Sequence, residues 1–341
     1  MSKPTLIIAE AGVNHNGSVI RALEMVDAAV LAGADVVKFQ TFVPELTVSA
    51  SAQQAEYQKQ NIGKTTSQLK MLQQLTLTFA EHRQVANYCR KQGIEYLSTA
   101  FDLESLEQLL EIGVMRLKIP SGEITHWPLL VASAKTGLPI ILSTGMSSLE
   151  EIMAALQVLL DHGAQRQQIT ILHCNTQYPT PLEDANLNAM SAIASATGVA
   201  IGYSDHTLGI DVSTAAVAMG ATVIEKHFTL DKSLPGPDHK ASLDPQELSA
   251  LVKGIRRIEL IKGDGVKKVS ASEAGNLHIA RKYLVARQPI RAGEHFNEHN
   301  VIAKRIGFAG MSPMCWPDII GKVAQRDLAV DEPLVLSDIG G

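Results

Sequence analysis

Eight short β-rich runs alternate with longer helical patterns along most of this chain, and that alternation restricts its possible folds more than any other feature. The runs are Leu6 to Ala9, Val36 to Phe39, Glu95 to Ser98, Met115 to Ile119, Pro139 to Ser143, Ile169 to His173, Val199 to His206 and Ala221 to His227. The segment Val19 to Ala32 sets Ala22, Met25, Val26, Ala29 and Val30 on one helical face, with Gly33 as its stop. Capped helices open at Thr78-Phe79-Ala80-Glu81 and at Ser148-Leu149-Glu150-Glu151, and the last one opens at Asp244-Pro245-Gln246-Glu247. This repeated period predicts an α/β fold, a (β/α)8 TIM barrel. An open doubly wound sheet is the alternative. The absence of a Gly-rich GxGxxG turn after the first run weighs against it.

The barrel pattern fades near Lys262. Residues 1–263 are therefore assigned to the barrel, 264–281 to a linker and 282–341 to a small, mostly β domain. The small domain shows short alternating segments at Tyr283 to Ala286 and Val301 to Arg305. At about 60 residues it is marginal as an independent fold, and it is expected to lean on the barrel or on another subunit. One long connection, about Gln40 to Gln68, is polar and rich in Gln, Ser and Thr, and its length predicts a loop with a role over the site.

Composition removes several functions. A net charge of −5 provides no basic field for nucleic acid or an anionic membrane surface. No apolar run reaches the length of a bilayer span. The apolar stretch before Glu10 is too short for a signal peptide core. Three cysteines without a CxxC pair argue against a disulfide framework, and a reducing cytoplasm is expected.

In such a barrel the chemistry lies where the strands end. The last two runs each end on a histidine, His206 and His227. On neighbouring parallel strands these would stand side by side, as a divalent metal needs; two unrelated histidines capping rim loops are the plain alternative. Lys38 and Lys118 lie inside apolar runs, where an unpaired ammonium is costly. Converging with Thr99, Ser121, Ser143 and Ser204, they suit a phosphate dianion. Snorkelling side chains or a Schiff-base lysine would also account for them. Glu10 and Glu123 could pair with these lysines or move a proton. Asp205 could orient His206 or bind nearby backbone, and Cys174 is expected to be a small buried hydrophobe.

Longer motifs sharpen this reading. Ile8-Ala9-Glu10-Ala11-Gly12-Val13-Asn14-His15-Asn16-Gly17, Val37-Lys38-Phe39-Gln40-Thr41, Lys118-Ile119-Pro120-Ser121-Gly122-Glu123 and Leu142-Ser143-Thr144-Gly145-Met146 occur in that order. They are followed by His173-Cys174-Asn175-Thr176-Gln177-Tyr178-Pro179, Ser204-Asp205-His206-Thr207, Glu225-Lys226-His227-Phe228 and Gly236-Pro237-Asp238-His239. The set resembles the sialic acid (N-acetylneuraminate) synthase family over essentially the whole chain, and the tail resembles that family's antifreeze-like (SAF) domain. The resemblance implies metal-assisted condensation of phosphoenolpyruvate with N-acetylmannosamine, giving N-acetylneuraminate and phosphate with Mn2+ (or Mg2+). It implies metal ligands His206 and His227, with Lys38, Thr99, Lys118, Ser121, Ser143 and Ser204 holding phosphoenolpyruvate. The family's Asn is replaced by Thr176, beside Asn175, so both are carried as phosphate contacts. Glu10, Gln40, Asn61, Glu123, Tyr178 and Asp238 would line the sugar site, with Glu10, Glu123, Lys38 and Lys118 as the catalytic set. Arg305 resembles an arginine that the small domain lends to the partner's site in a homodimer, although here Lys304-Arg305-Ile306-Gly307 lacks the family's proline.

Other functions fit parts of the pattern. The same chemistry on 2,4-diacetamido-2,4,6-trideoxymannose would give legionaminate, or a related nonulosonate such as pseudaminate. A Schiff-base pyruvate aldolase would use Lys38, Lys118 or Lys226 without metal. A binding protein would have no need of the two-lysine, two-histidine set.

Overall fold

The computed structural model describes residues 3–62 and 67–340. The chain divides into two compact units, Met1–Asp264 and Gly265–Gly341. In the first, eight strands close into a barrel: β1 (Leu6–Gly12), β2 (Val36–Thr41), β3 (Glu95–Ala100), β4 (Leu117–Ile119), β5 (Ile140–Ser143), β6 (Ile169–Cys174), β7 (Ala200–Asp205) and β8 (Val223–His227). Every pairing is parallel, and β8 closes on β1 with Glu10 opposite His227.

Strand side chains alternate between two environments. Outward-facing Ile7, Ala9, Val37, Phe39, Ile171 and Ile224 pack under the helices in one continuous apolar layer. The helix Val19–Ala32 adds Ala22, Met25, Val26 and Ala29 to that layer, and Gly33 ends it in the left-handed conformation. Each large aliphatic side chain buried there contributes about 1.5–3 kcal/mol of transfer free energy. The capping boxes at Thr78, Ser148 and Asp244 all form as their sequences predict.

The barrel interior has a separate apolar plug of Ile8, Val36, Leu97, Ile141, Leu172 and Val223. Gly202 completes the plug by leaving space: a Cβ there would lie 2.5 Å from both Leu172 Cδ2 and the Val223 carbonyl. Two residues further along these same seven strands stand Glu10, Lys38, Thr99, Ser143, Cys174, Glu225 and Ser204. The period of two therefore stacks a polar layer directly on the plug, at the C-terminal ends of the strands.

The long connection after β2 is not one open loop. It forms short helices at Pro44–Thr47 and Glu56–Ile62, each with a glutamate in its first turn, followed by the helix Gln68–Leu75. That last helix buries Met71 and Leu75 in a cluster with Val13 and Phe42.

In the second unit β9 (Tyr283–Ala286) pairs antiparallel with β10 (Val301–Lys304), and β11 (Val323–Ala324) with β12 (Ile339–Gly340). Leu284, Ile290, Phe296, Val301 and Leu334 form its small core. Among the described residues, no helix is long and apolar enough to cross a membrane, and the three cysteines are free thiols.

Candidate active site

A cavity of about 580 Å³ opens above the polar layer. Its floor holds four charges. Lys38 Nζ lies 2.7 Å from Glu10 Oε2 and 3.7 Å from Glu225 Oε2, and it donates to Thr99 Oγ1 at 2.8 Å. Lys118 Nζ lies 3.3 Å from Glu225 Oε1, which also accepts from Ser204 Oγ at 3.0 Å. All four side chains are buried, so the lysines meet the requirement that an interior charge be compensated through carboxylates of the chain itself. Glu10 pairs with Lys38 as the sequence allowed. Glu123 does not pair with Lys118, because the barrel's closure brings Glu225 there instead. Glu123 lies on the 3-10 turn Ser121–Glu123, with Oε2 2.6 Å from His126 Nδ1.

The floor splits its two carboxylates. Burial pushes Glu10 up to about 7, against the pull of Lys38. Burial also acts on Glu225, but Lys118 and then Lys38 outweigh it and hold this carboxyl down at about 2. Lys38 is raised: burial opposes its charge, yet the two flanking carboxylates prevail. Lys118 is lowered, chiefly by burial, which the pull of Glu225 does not offset. A permanently ionised carboxylate and one that exchanges a proton near neutrality thus share one site, a pairing suited to acid–base chemistry.

Above the floor, His206 and His227 come together with ring centroids 5.4 Å apart. His206 Nδ1 lies 2.5 Å from the Asn175 carbonyl, which can only accept, so Nε2 carries the lone pair. Tyr178, beside the cis Tyr178–Pro179 bond, packs 4.0 Å from the His206 ring and edge-on to His227. Burial lowers His206 to about 4, and burial followed by the neighbouring His206 drives His227 well below its ordinary value. Burial thus favours the neutral form of both rings, the form a metal requires.

Among the described residues, no three His, Cys, Asp or Glu side chains surround one point as a metal cage. The pair does fit a divalent ion that keeps most of its positions for water or substrate. His206 offers a fixed lone pair, and His227 Nδ1 is buried without a hydrogen-bond partner. Ser143 Oγ is likewise buried and unpartnered at the edge of the floor.

The remaining expected residues divide clearly. Gln40, Ser121, Thr176, Tyr178 and Asp238 line the cavity with the floor residues. Gln40 Nε2 lies 3.5 Å from Glu10 Oε1, and burial raises Asp238 to about 7. Gly12, at φ +52°, lets this corner close: a Cβ would come within 3.3 Å of Glu10 Oε1 and His227 Cε1. Asn175 turns away. Its Oδ1 accepts from Gln177 N at 2.7 Å, and its carbonyl orients His206. Thr176 is the member of that pair facing the cavity. Asn61 donates to the Pro237 carbonyl at 2.6 Å, tying the β2 connection to the segment that carries Asp238. Arg305 is an exposed residue of the second unit, with Nε donating to the Ala280 carbonyl at 3.1 Å.

Alternation also sorts Asp205 and Lys226, which face out of the barrel. They pair at 2.9 Å, and Asp205 Oδ1 accepts from Thr207 N at 2.9 Å. Asp205 therefore binds backbone rather than His206, and Lys226 is no candidate for a Schiff base in the cavity. Glu225 was not among the expected site residues. The signal for it was its parity with His227, two positions on.

Fold and site together define a barrel enzyme with its chemistry gathered at the C-terminal strand ends. The chain belongs to the NeuB family: residues 25–267 match that family and residues 281–340 match the SAF domain. It is 50% identical over 330 residues to the N,N'-diacetyllegionaminic acid synthase of Campylobacter jejuni, covering 97% of this chain and 98% of that one. The corresponding synthase of Legionella pneumophila is 43% identical, covering 99% of this chain and 95% of that one. Among solved structures, the N-acetylneuraminic acid (sialic acid) synthetase of Leptospira borgpetersenii is 36% identical, with a TM-score of 0.71 over 81% of this chain and 90% of that one. These relatives bear out the resemblance carried by the strand-end motifs and the tail.

Proposed function

We propose that this protein condenses phosphoenolpyruvate with 2,4-diacetamido-2,4,6-trideoxymannose, giving N,N'-diacetyllegionaminate and phosphate. The carrying observation is the buried floor of Lys38, Lys118, Glu10 and Glu225 beneath two buried imidazoles whose ring centroids lie 5.4 Å apart. The expectation of N-acetylmannosamine as acceptor gives way to the diacetamido sugar, because the relatives at 50% and 43% identity are legionaminate synthases.

In this reading Lys38 and Lys118 bind the phosphate, with hydroxyls from Thr99, Ser121, Ser143, Thr176 and Ser204 around them. His206 and His227 would hold Mn2+ (or Mg2+), which when bound supplies Lewis-acid polarisation of the acceptor aldehyde. The enol carbon of phosphoenolpyruvate bonds to that aldehyde carbon, and the aldehyde oxygen takes up a proton. Water adds to the cationic carbon that bears the phosphate, giving up a proton to Glu10 as base. The added hydroxyl then collapses to the ketone as the C–O bond to phosphate breaks, its proton passing to the leaving group, and the lysines stabilise the departing hydrogen phosphate dianion. Holding both reactants in one cavity removes much of the entropic barrier. Gln40, Asn61, Glu123, Tyr178 and Asp238 orient the sugar, Asn61 acting through the Pro237 carbonyl. Arg305 from a second subunit would complete the site in a homodimer working in the cytoplasm.

The test is phosphate release by purified protein with manganese and phosphoenolpyruvate, one acceptor at a time. Release dependent on the diacetamido sugar is expected. Release with N-acetylmannosamine alone would transfer the assignment to sialate synthesis. Borohydride trapping of pyruvate on Lys38 or Lys118 without metal would replace the mechanism altogether.

A further inference from the structure

The cavity is chemically two-sided. Besides the charged floor, Val13, Phe42, Met71, Leu72, Leu75 and Phe101 line the cavity as an apolar wall. Phe42 and Phe101 follow Gln40 and Thr99 by two residues, and their rings meet edge to face at 6.0 Å. The helix Gln68–Leu75 supplies the other side of the wall, held on this face by Met71 and Leu75. If the cluster served only to anchor that helix, its members would be sealed from the cavity. Instead all six line it, and Leu72 and Phe101 are only half-buried.

Hydroxyls packed directly on these six side chains would find no partner in them. A chain end of methyl groups would match it. Resting on the reaction proposed above, we propose that this wall receives the C6 methyl and the acetamido methyl at the far end of the acceptor, and that it selects 6-deoxy over 6-hydroxy amino sugars. The polar floor would then fix the reacting end while the helix Gln68–Leu75 reads the tail.

2,4-Diacetamido-2,4,6-trideoxymannose and its 6-hydroxy counterpart differ only at that carbon, so they serve as probes. One added hydroxyl in an apolar pocket is discriminated by about 10- to 100-fold. Wild-type kcat/KM is therefore expected to favour the 6-deoxy sugar by that margin. Leu72→Asn, which keeps the branched skeleton but replaces its two methyls with polar groups, should bring the ratio close to one by weakening the 6-deoxy sugar, with KM for phosphoenolpyruvate unchanged. Met71→Gln provides a second reading of the same wall. Equal use of both sugars by the wild type, or an equal loss on both in the variants, would overturn the inference and leave the reaction intact. Absence of phosphate release with every acceptor would instead remove the reaction, and the tail pocket with it.

Discussion

Replacing Glu225 by Gln tests whether the floor is an anion site balanced internally by carboxylates. Glu225 lies 3.3 Å from Lys118 and 3.7 Å from Lys38. At an effective dielectric constant of about 20, each contact represents about 5 kcal/mol of attraction before desolvation is subtracted. Breaking such a buried pair from one side typically costs about 3–5 kcal/mol. The lower end is expected here, because Lys38 keeps Glu10 at 2.7 Å and only Lys118 loses its carboxylate. The same substitution removes one negative charge from a floor of two lysines and two glutamates. Inorganic phosphate should then replace the missing charge and stabilise the variant more than the wild type. Urea unfolding at neutral pH, in chloride and in phosphate of matched ionic strength, measures both effects. The variant should lose about 3 kcal/mol in chloride and recover at least half of it in phosphate. Equal stability of the two proteins in chloride, or equal gains in phosphate, would refute the reasoning.

Three further outcomes are expected. His206→Ala and His227→Ala should each abolish manganese binding by calorimetry, and a chelator should stop phosphate release by the wild type until manganese is restored. Lys226→Met should cost about 3–5 kcal/mol of stability by stranding the buried Asp205 carboxylate, with KM for phosphoenolpyruvate unchanged in the folded fraction; a raised KM without lost stability would return Lys226 to the site. Burial also lowers His82 to about 4, below the ordinary 6.5 that the unfolded chain retains. Between those values the unfolded state binds the extra proton, so stability falls as pH drops from 6.5 toward 4, by about 3 kcal/mol for this group. His82→Gln should flatten the dependence of unfolding free energy on pH by about one proton; an unchanged slope would show that His82 does not carry it.

The barrel, the paired histidines and the buried lysines were legible because each depends on local pattern. An apolar run of fixed parity and a helix with a capping box declare themselves within a dozen residues. The choice between Asn175 and Thr176 was not legible, since it turns on a loop conformation just past β6. The apolar wall was hidden for a different reason: the connection leading to the helix Gln68–Leu75 reads as polar, and the apolar face of that helix finds its partners in Val13, Phe42 and Phe101, which follow three different strands.

The partner of Lys118 shows where local pattern stops. Glu123 is five residues away in sequence, whereas Glu225 lies more than a hundred residues on. Only closure of β8 onto β1 carries Glu225 into the ring that also holds Lys38 and Lys118. Parity within β8 narrows the choice, since His227 can face the cavity only if Glu225 does and Lys226 does not. Which lysine that carboxylate meets is then set by the stagger of strands around the barrel. The charge balance of the floor is therefore a property of the closed ring, and a chain that failed to seat β8 on β1 would leave Lys118 without the carboxylate that compensates it.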